Sequence, residues 1–206
     1  PYVSEQFNHA KVQSIVMRWQ MLGDWWARQC MMETFHHAES MRGSETAAWR
    51  QCRGNGHLLH MLWADYEATG NKACIDRADT LLKLGVDFIK KNTEFDKAAS
   101  QRFMVGIALE GMIQSQWLKP NKDVADTVRF IADYAVNEQN LKGYTSNMAM
   151  AYGWLWQQTG EEKYLKTLVR LINATGPTEH AKYFGQSFRS TPYAIAVLHE
   201  AAGKGK

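Results

Sequence analysis

The chemically versatile side chains of this 206-residue chain are concentrated between positions 36 and 57. The histidines of this stretch are His36, His37 and His57. Histidine is the side chain that most often moves protons near neutral pH, so each is a candidate general base. The same stretch contains groups that bind carboxylates, namely Arg42, Arg53 and Asn55. Together these residue types predict acid–base chemistry on a substrate that carries a carboxylate.

Further polar and aromatic residues extend the candidate site. Candidates for contact with a substrate are Glu39, Trp49, Asn147, Trp154, Gln186 and Arg189. Tyr144 and Tyr183 are candidate acids, because a phenol can deliver a proton to a leaving oxygen. Trp49 and Trp154 are candidates for stacking on sugar rings, since an indole combines an apolar face with a polar edge. The alternative is structural: the histidines cap helices, the arginines pair with nearby glutamates, and the tyrosines pack.

A metal site is a competing use of the same residues. His36, His37, Glu39 and His57 are of types that bind zinc. However, adjacent histidines point in different directions on a helix, and the HExxH spacing of zinc proteases is absent. Phosphate-binding loops, dinucleotide fingerprints and nucleophile elbows are also absent from the sequence. We therefore expect neither a metal nor a cofactor.

A repeated pattern predicts the elements that position these groups. A helical run ends in an aromatic residue, and a few polar residues and a Gly or Pro turn follow, at 19–24, 63–71, 117–122, 154–161 and, more weakly, 198–203. Glycine just past a helix can take the left-handed conformation that caps it. The residues placed to open the next helix are Asp24, Asn71, Asn121 and Glu161. The helices that follow are predicted over 24–40, 72–92, 122–138 and 161–174.

Two kinds of helix alternate in this pattern. Runs before the turns, such as 104–113 and 147–155, consist of small and apolar residues on nearly all sides of the helix, which is typical of buried helices. Runs after the turns are amphipathic, which is typical of an outer layer. The predicted fold class is all-α, with repeated helical hairpins forming a partial or complete (α/α) toroid; an open solenoid is the competing arrangement. We expect one such domain over residues 1–206, either complete or a piece of a longer chain.

The longer connections are predicted to lie on one face of the molecule. They span about 40–56, 92–101, 138–146 and 174–190, and each leads into an apolar helix. Function is often carried by such loops, so the candidate residues would converge there. Helix N-termini at the same face favour a negative charge. Gly54 and Gly56 either let the backbone approach a ligand closely or relieve strain.

Composition excludes some classes of partner and leaves others open. The formal net charge is +3 without a basic cluster, which does not indicate nucleic-acid binding but suits an acidic glycan. Apolar runs are too short for a membrane span. The three cysteines, Cys30, Cys52 and Cys74, form no CxxC pair, and their odd number favours free, buried thiols, with one disulfide as the alternative. The chain begins at Pro1, which indicates a removed leader or a fragment, so localisation stays open.

The stretch from Arg53 to Asn71 resembles helical hairpins of the (α/α) toroid polysaccharide lyases and glycoside hydrolases. It is most similar to the toroid domain of exo-rhamnogalacturonan lyase-like proteins, in which a helix starting at His ends in a Tyr-x-x-Thr-Gly turn. The Thr-Gly turn recurs at Thr159 and Gly160. The specific match covers about residues 36–71. Complete toroids of this type have more hairpins, which implies a fragment, a trimmed version or a homo-oligomer that completes the site.

Polysaccharide lyase is the function that these residues favour. β-Elimination from a uronate needs a group that neutralises the carboxylate, a base for the carbon-bound proton and an acid for the leaving oxygen. The residues assigned to these steps are, in order, Arg42, Arg53 and Asn55; His36, His37 or His57; and Tyr144 or Tyr183. The expected partner is an acidic oligosaccharide or polysaccharide.

Two alternatives remain from the sequence. A glycoside hydrolase on the same scaffold would need two carboxylic acids that flank the scissile bond. The acidic candidates near the predicted mouth are Glu39, Glu45, Glu94, Asp96, Glu138 and Glu179, and no pair stands out. A non-catalytic helical-repeat module that binds a glycan or a protein is the second alternative.

Overall fold

The computed structural model describes residues 13–40, 52–91, 103–137, 146–174 and 190–204. Within these ranges the chain is helical and contains no strand, which confirms the all-α prediction. The helices are α1 (Gln13–Leu22), α2 (Trp25–Ser40), α3 (Arg53–Thr69), α4 (Lys72–Lys91), α5 (Phe103–Leu118), α6 (Lys122–Asn137), a short 3-10 helix (Ser146–Met148), α7 (Ala149–Thr159), α8 (Glu162–Ala174) and α9 (Thr191–Lys204). The four helices predicted after the turns agree with α2, α4, α6 and α8 to within one residue at each end.

The tight turns have the predicted left-handed glycines. Gly23, Gly70 and Gly160 have φ values of 63°, 70° and 70°. The amide of Gly70 donates to the carbonyl of Tyr66 at 2.8 Å, and that of Gly160 donates to Trp156 at 2.7 Å. Each turn therefore closes its helix with a single backbone bond from the left-handed residue.

Side chains at the turns start the next helix as predicted at three of the four positions. The Oδ1 atom of Asp24 accepts from the amide of residue 26 at 2.9 Å, and Asn71 and Asn121 accept equivalent bonds at 3.1 and 2.9 Å. These bonds satisfy amides that have no partner inside the helix. At the fourth turn, the carboxylate of Glu161 instead lies 2.5 Å from Arg129 on α6.

The helices form two layers. The inner helices are α1, α3, α5, α7 and α9, and each packs on the next inner helix in the series. The outer helices are α2, α4, α6 and α8, and each packs on the inner helix that precedes or follows it. The core lies between the layers, with Leu59, Trp63 and Leu109 almost fully buried. The predicted burial of the runs 104–113 and 147–155 is confirmed, and α4, α6 and α8 are amphipathic as predicted. The run before the first turn differs, because Met21 and Leu22 at the end of α1 are largely exposed.

Ring closure is not seen among the residues that the structure describes. No extensive contact joins α1 to α9 there, so the described helices form an open series. The contacts between successive helices establish the helical-hairpin repeat. A closed toroid stays a prediction. No helix in the described ranges combines the length and the apolar character that crossing a bilayer requires.

The backbones of α3 and α5 approach each other through glycine. A Cβ atom placed on Gly56 would lie 2.6 Å from the carbonyl oxygen of Ile107. A Cβ atom on Gly111 would lie 2.9 Å from the Cβ atom of Leu59. The space beside Gly56 is thus filled by the neighbouring inner helix, which holds the two helices that carry the candidate site at a fixed separation.

Candidate active site

A column of three polar side chains runs along α3 from its first residue. Arg53, His57 and His60 are spaced i, i+4 and i+7, so they share one face of the helix. At 1.5 Å per residue, the column extends about 10 Å along the helix axis. Arg53 is partly buried, whereas His57 is 3% and His60 2% exposed. The column therefore leads from the start of the helix into the core.

His60 is held by two residues of α5. Its Nδ1 atom lies 2.8 Å from Oε1 of Gln114, and its Nε2 atom lies 3.7 Å from Oε2 of Glu110. An amide oxygen only accepts, so Nδ1 is the nitrogen that donates. The basic nitrogen of a neutral His60 is then Nε2, which faces the carboxylate. At 3.7 Å this contact is longer than a hydrogen bond.

Glu110 connects three inner helices. Its Oε2 atom faces α3, and its Oε1 atom accepts a hydrogen bond from the hydroxyl of Ser190, directly before α9. Glu110 is 1% exposed and Ser190 is fully buried. A buried carboxylate is tolerated only when it is paired and hydrogen-bonded, so this residue constrains how α3, α5 and α9 meet.

The order of these groups favours proton transfer over nucleophilic catalysis. In a serine triad the histidine lies between the hydroxyl and the acid, so that it can take the hydroxyl proton. Here Glu110 lies between Ser190 and His60. The Ser190 hydroxyl donates to a carboxylate and gains no basic partner from the histidine. What remains is a histidine and carboxylate pair with a second histidine, His57, at 6.5 Å between ring centroids.

The charged and thiol groups at the start of α3 have distinct protonation behaviour. Burial lowers the pKa of Arg53 from its ordinary value, yet an arginine stays cationic at neutral pH. Burial raises the pKa of the adjacent Cys52 to about 11. Because the thiolate is the reactive form, Cys52 is a poor nucleophile at neutral pH. Among the described residues of the column, the cation is therefore Arg53.

The structure brings part of the predicted site together. Arg53, Asn55 and His57 occupy the first turns of α3. Asn147, 2% exposed, precedes α7 and packs on Gly106 near the start of α5. Four of the predicted residues therefore lie at the N-terminal ends of inner helices, as the loop argument expects.

Trp154 lies elsewhere. It is buried on α7 and lines a groove together with Trp117 and residues of the turn after α5. That groove is formed where inner helices end, whereas the column of α3 begins at the opposite end of its helix.

The remaining predicted residues lie wholly or in part outside the described ranges. His36, His37 and Glu39 belong to the last turns of α2, and their side chains lie outside the described part of the structure. The residues that lie wholly outside the described ranges are Arg42, Trp49, Tyr144, Tyr183, Gln186 and Arg189.

Glu110, Gln114 and Ser190 were not predicted as site residues. Glu110 had a recognisable signal, because it is the single charged residue in the apolar run 104–113. A charge on a helix that is buried on all sides requires a partner, which makes it a candidate for a polar cluster. Gln114 and Ser190 carry no such signal. In the described ranges no three His, Cys, Asp or Glu side chains are grouped so that they could hold a metal ion.

Comparison of the chain with protein-family models, curated proteins and solved structures finds no match. We therefore infer function from the geometry of the inner helices and from the chemistry of the residues that they carry.

Proposed function

We propose that this chain is a carbohydrate-active protein that cleaves a uronate-containing glycan by β-elimination. The observation that carries the proposal is the column of Arg53, His57 and His60 on α3, backed by Glu110 and Gln114 on α5. It combines a partly buried cation at the start of the helix, where a predicted loop ends, with a buried histidine one turn farther along. The resemblance of residues 53–71 to hairpins of toroid lyases supports the same function.

Arg53 and His57 are assigned the first two steps of the reaction. The guanidinium of Arg53 pairs with the uronate carboxylate, so that the neighbouring carbon-bound proton becomes more acidic. The imidazole of His57 takes that proton. A carbon–carbon double bond forms as the bond to the leaving sugar oxygen breaks. That oxygen takes a proton from the acid, for which Tyr144 and Tyr183 remain the candidates.

His60 and Glu110 are positioning residues in this proposal. When His57 takes a proton it becomes a cation, with the ring of His60 6.5 Å away and Glu110 behind that ring. A buried carboxylate favours a nearby cation, and the effect is stronger in a core than in water. Gln114 fixes the orientation of the His60 ring through Nδ1. The pair therefore stabilises the charge that the reaction creates.

The two buried carboxylates of the described ranges are not arranged as a hydrolytic pair. In the described ranges, Asp65 and Glu110 are the buried acids. Asp65 accepts a hydrogen bond from the thiol of Cys74 on α4 at 3.0 Å, whereas Glu110 faces α3 and α9. They face different elements and do not form the flanking pair that glycoside hydrolysis requires.

The test measures the ultraviolet absorbance of unsaturated uronate products. Galacturonan, rhamnogalacturonan, alginate and ulvan are offered to the wild type and to the His57→Ala variant. Removing a general base lowers the rate by about a hundredfold or more, so the variant should lose most of its activity. The matched control is His199→Ala, because His199 is exposed on α9 and lies outside the column.

Two results would contradict the proposal. Equal rates for His57→Ala and the wild type would remove His57 from the base role. Absence of unsaturated product with every acidic glycan, in a protein that still binds one of them, would favour the non-catalytic binding module. Circular dichroism of each variant distinguishes lost chemistry from lost folding.

A further inference from the structure

A groove opens at the end of the inner helices where the tight turns lie. It has a volume of about 410 Å³ and is formed by the last turn of α5, the first turns of α6 and the second half of α7. Its lining includes Gln116, Trp117, Arg129, Trp154 and Gln158. None of the residues of the α3 column or its α5 partners lines it, so the groove is a separate feature. Its volume is in the range of small-molecule sites.

Trp117 gives the groove an aromatic platform. Although it is among the largest apolar side chains, it is 53% exposed. Its ring lies 5.8 Å from that of Tyr193 on α9, measured between centroids. The Tyr193 hydroxyl donates to Gln157 at 2.5 Å, and Gln157 donates to Glu200 at 2.7 Å. Trp117 is therefore supported from behind by a hydrogen-bonded network that joins α7 and α9.

The charges in the groove are already compensated within the protein. The ammonium group of Lys122 lies 2.5 Å from Asp126, and the guanidinium of Arg129 lies 2.5 Å from Glu161. An ionic ligand would have to displace these carboxylates, or compete with them. The groove is therefore poorly suited to a ligand that binds by its charge.

Side-chain amides complete the lining. The Oε1 atom of Gln116 accepts from the backbone amide of Asn121 at 3.0 Å, which fixes this side chain at the turn. Gln158 is exposed at the edge of the groove on α7. The Nε2 atom of Gln116 also donates to the Ser115 hydroxyl at 3.3 Å, so only its second N–H and second lone pair can serve a ligand. The exposed amide of Gln158 offers both a donor and an acceptor to a ligand that carries hydroxyl groups.

We infer that this groove binds a neutral pyranose unit of a glycan, stacked on Trp117 and hydrogen-bonded to the amides beside it. A pyranose ring presents a face of C–H groups and an edge of hydroxyl groups, which matches an indole surrounded by amides. A purely apolar ligand would cover the Gln158 amide without replacing its bonds to water, which costs free energy. The groove would hold a neutral part of a glycan at a distance from the α3 column.

The test uses neutral oligosaccharides that have no carboxylate, namely cellohexaose, maltohexaose and mannohexaose. The indole N–H resonances of the eight tryptophans are followed by ¹⁵N NMR during each titration. At least one of the three sugars should shift the Trp117 resonance in a saturable manner. In Trp117→Ala the affinity should fall about tenfold or more, which is the scale of one lost aromatic contact. The matched control is Trp26→Ala, since Trp26 is 77% exposed on α2 and does not line the groove.

Three results would overturn the inference. They are no shift of Trp117 with any of the three sugars at millimolar concentration, unchanged affinity in Trp117→Ala, and an equal loss of affinity in the Trp26→Ala control. Failure of the elimination assay leaves this test unaffected, because its probes carry no uronate. The reverse also holds, because His57→Ala does not alter the groove.

Discussion

At the scale of single residues, the cysteines show how burial controls reactivity. All three cysteines are free, as predicted. The prediction that they are buried is wrong for Cys30, which is exposed because it lies beside the buried face of α2 formed by Ala27 and Met31. Cys52 is buried, and burial raises its pKa to about 11. We therefore expect iodoacetamide at pH 8 to alkylate Cys30 in the folded protein, and Cys52 only after unfolding; peptide mass spectrometry distinguishes the two.

The raised pKa of Cys52 also predicts a dependence of stability on pH. The ordinary thiol pKa is 9.0, so the unfolded chain loses this proton first as the pH rises. The contribution to stability is present below about pH 9 and is lost between pH 9 and about 11. The loss amounts to about 2–3 kcal/mol. Urea unfolding at pH 8 and pH 10.5 should show a smaller decrease for Cys52→Ala than for the wild type, whereas parallel decreases would refute this assignment.

Sequence reasoning at the residue scale found only part of the polar cluster. Arg53, Asn55 and His57 were identified from their types, and they do lie together at the start of α3. Glu110 and Ser190 were missed, because a carboxylate and a hydroxyl 80 residues apart show no relation in the chain. Their partnership exists only because α5 and α9 bring them together.

At the scale of elements, the contact between α3 and α5 depends on the absence of side chains. We expect Gly56→Ala to destabilise the protein by about 1–3 kcal/mol, because the added methyl would overlap the backbone of residue 107. Gly203→Ala is the matched control, since the space beside Gly203 in α9 is open and alanine favours a helix by up to about 1 kcal/mol. Urea unfolding measures both. Equal free energies of unfolding for the two variants would mean that α3 and α5 can move apart to accommodate the methyl group without loss of stability.

The turns between helices were the most predictable elements. Thr69 and Thr159 each accept a bond from the amide two residues later, at 3.2 and 3.1 Å, so the two Thr-Gly turns have the same local structure. At the third turn the side chain of Gln116 accepts from Asn121 in place of a threonine. Such short-range bonds depend on residues close in the chain, which is why the pattern predicted the helix boundaries to within one residue.

At the scale of the whole molecule, an open series of helices predicts uneven stability. Among the helices that the structure describes, α3, α5 and α7 have inner neighbours on both sides, whereas α1 has one. Met21 and Leu22, at the end of α1, are largely exposed. Each repeat is stabilised by its neighbours, so the terminal one opens most easily. Hydrogen exchange followed by mass spectrometry should be slowest in α3 and α5 and faster in α1; equally slow exchange in α1 would indicate that a further contact covers it.

The sequence by itself determined the helices, their turns and the assignment of each to an inner or an outer layer. These features follow from helical periodicity and from capping bonds between residues a few positions apart. Only the tertiary structure decided which polar groups meet: His60 with Gln114 across 54 positions, and Glu110 with Ser190 across 80. It also decided that Trp117, rather than the buried Trp154, offers an exposed ring in the groove. The reason is physical, because contacts between distant residues depend on the register and separation of packed helices. The glycines between α3 and α5 set that separation, and no local sequence pattern encodes it.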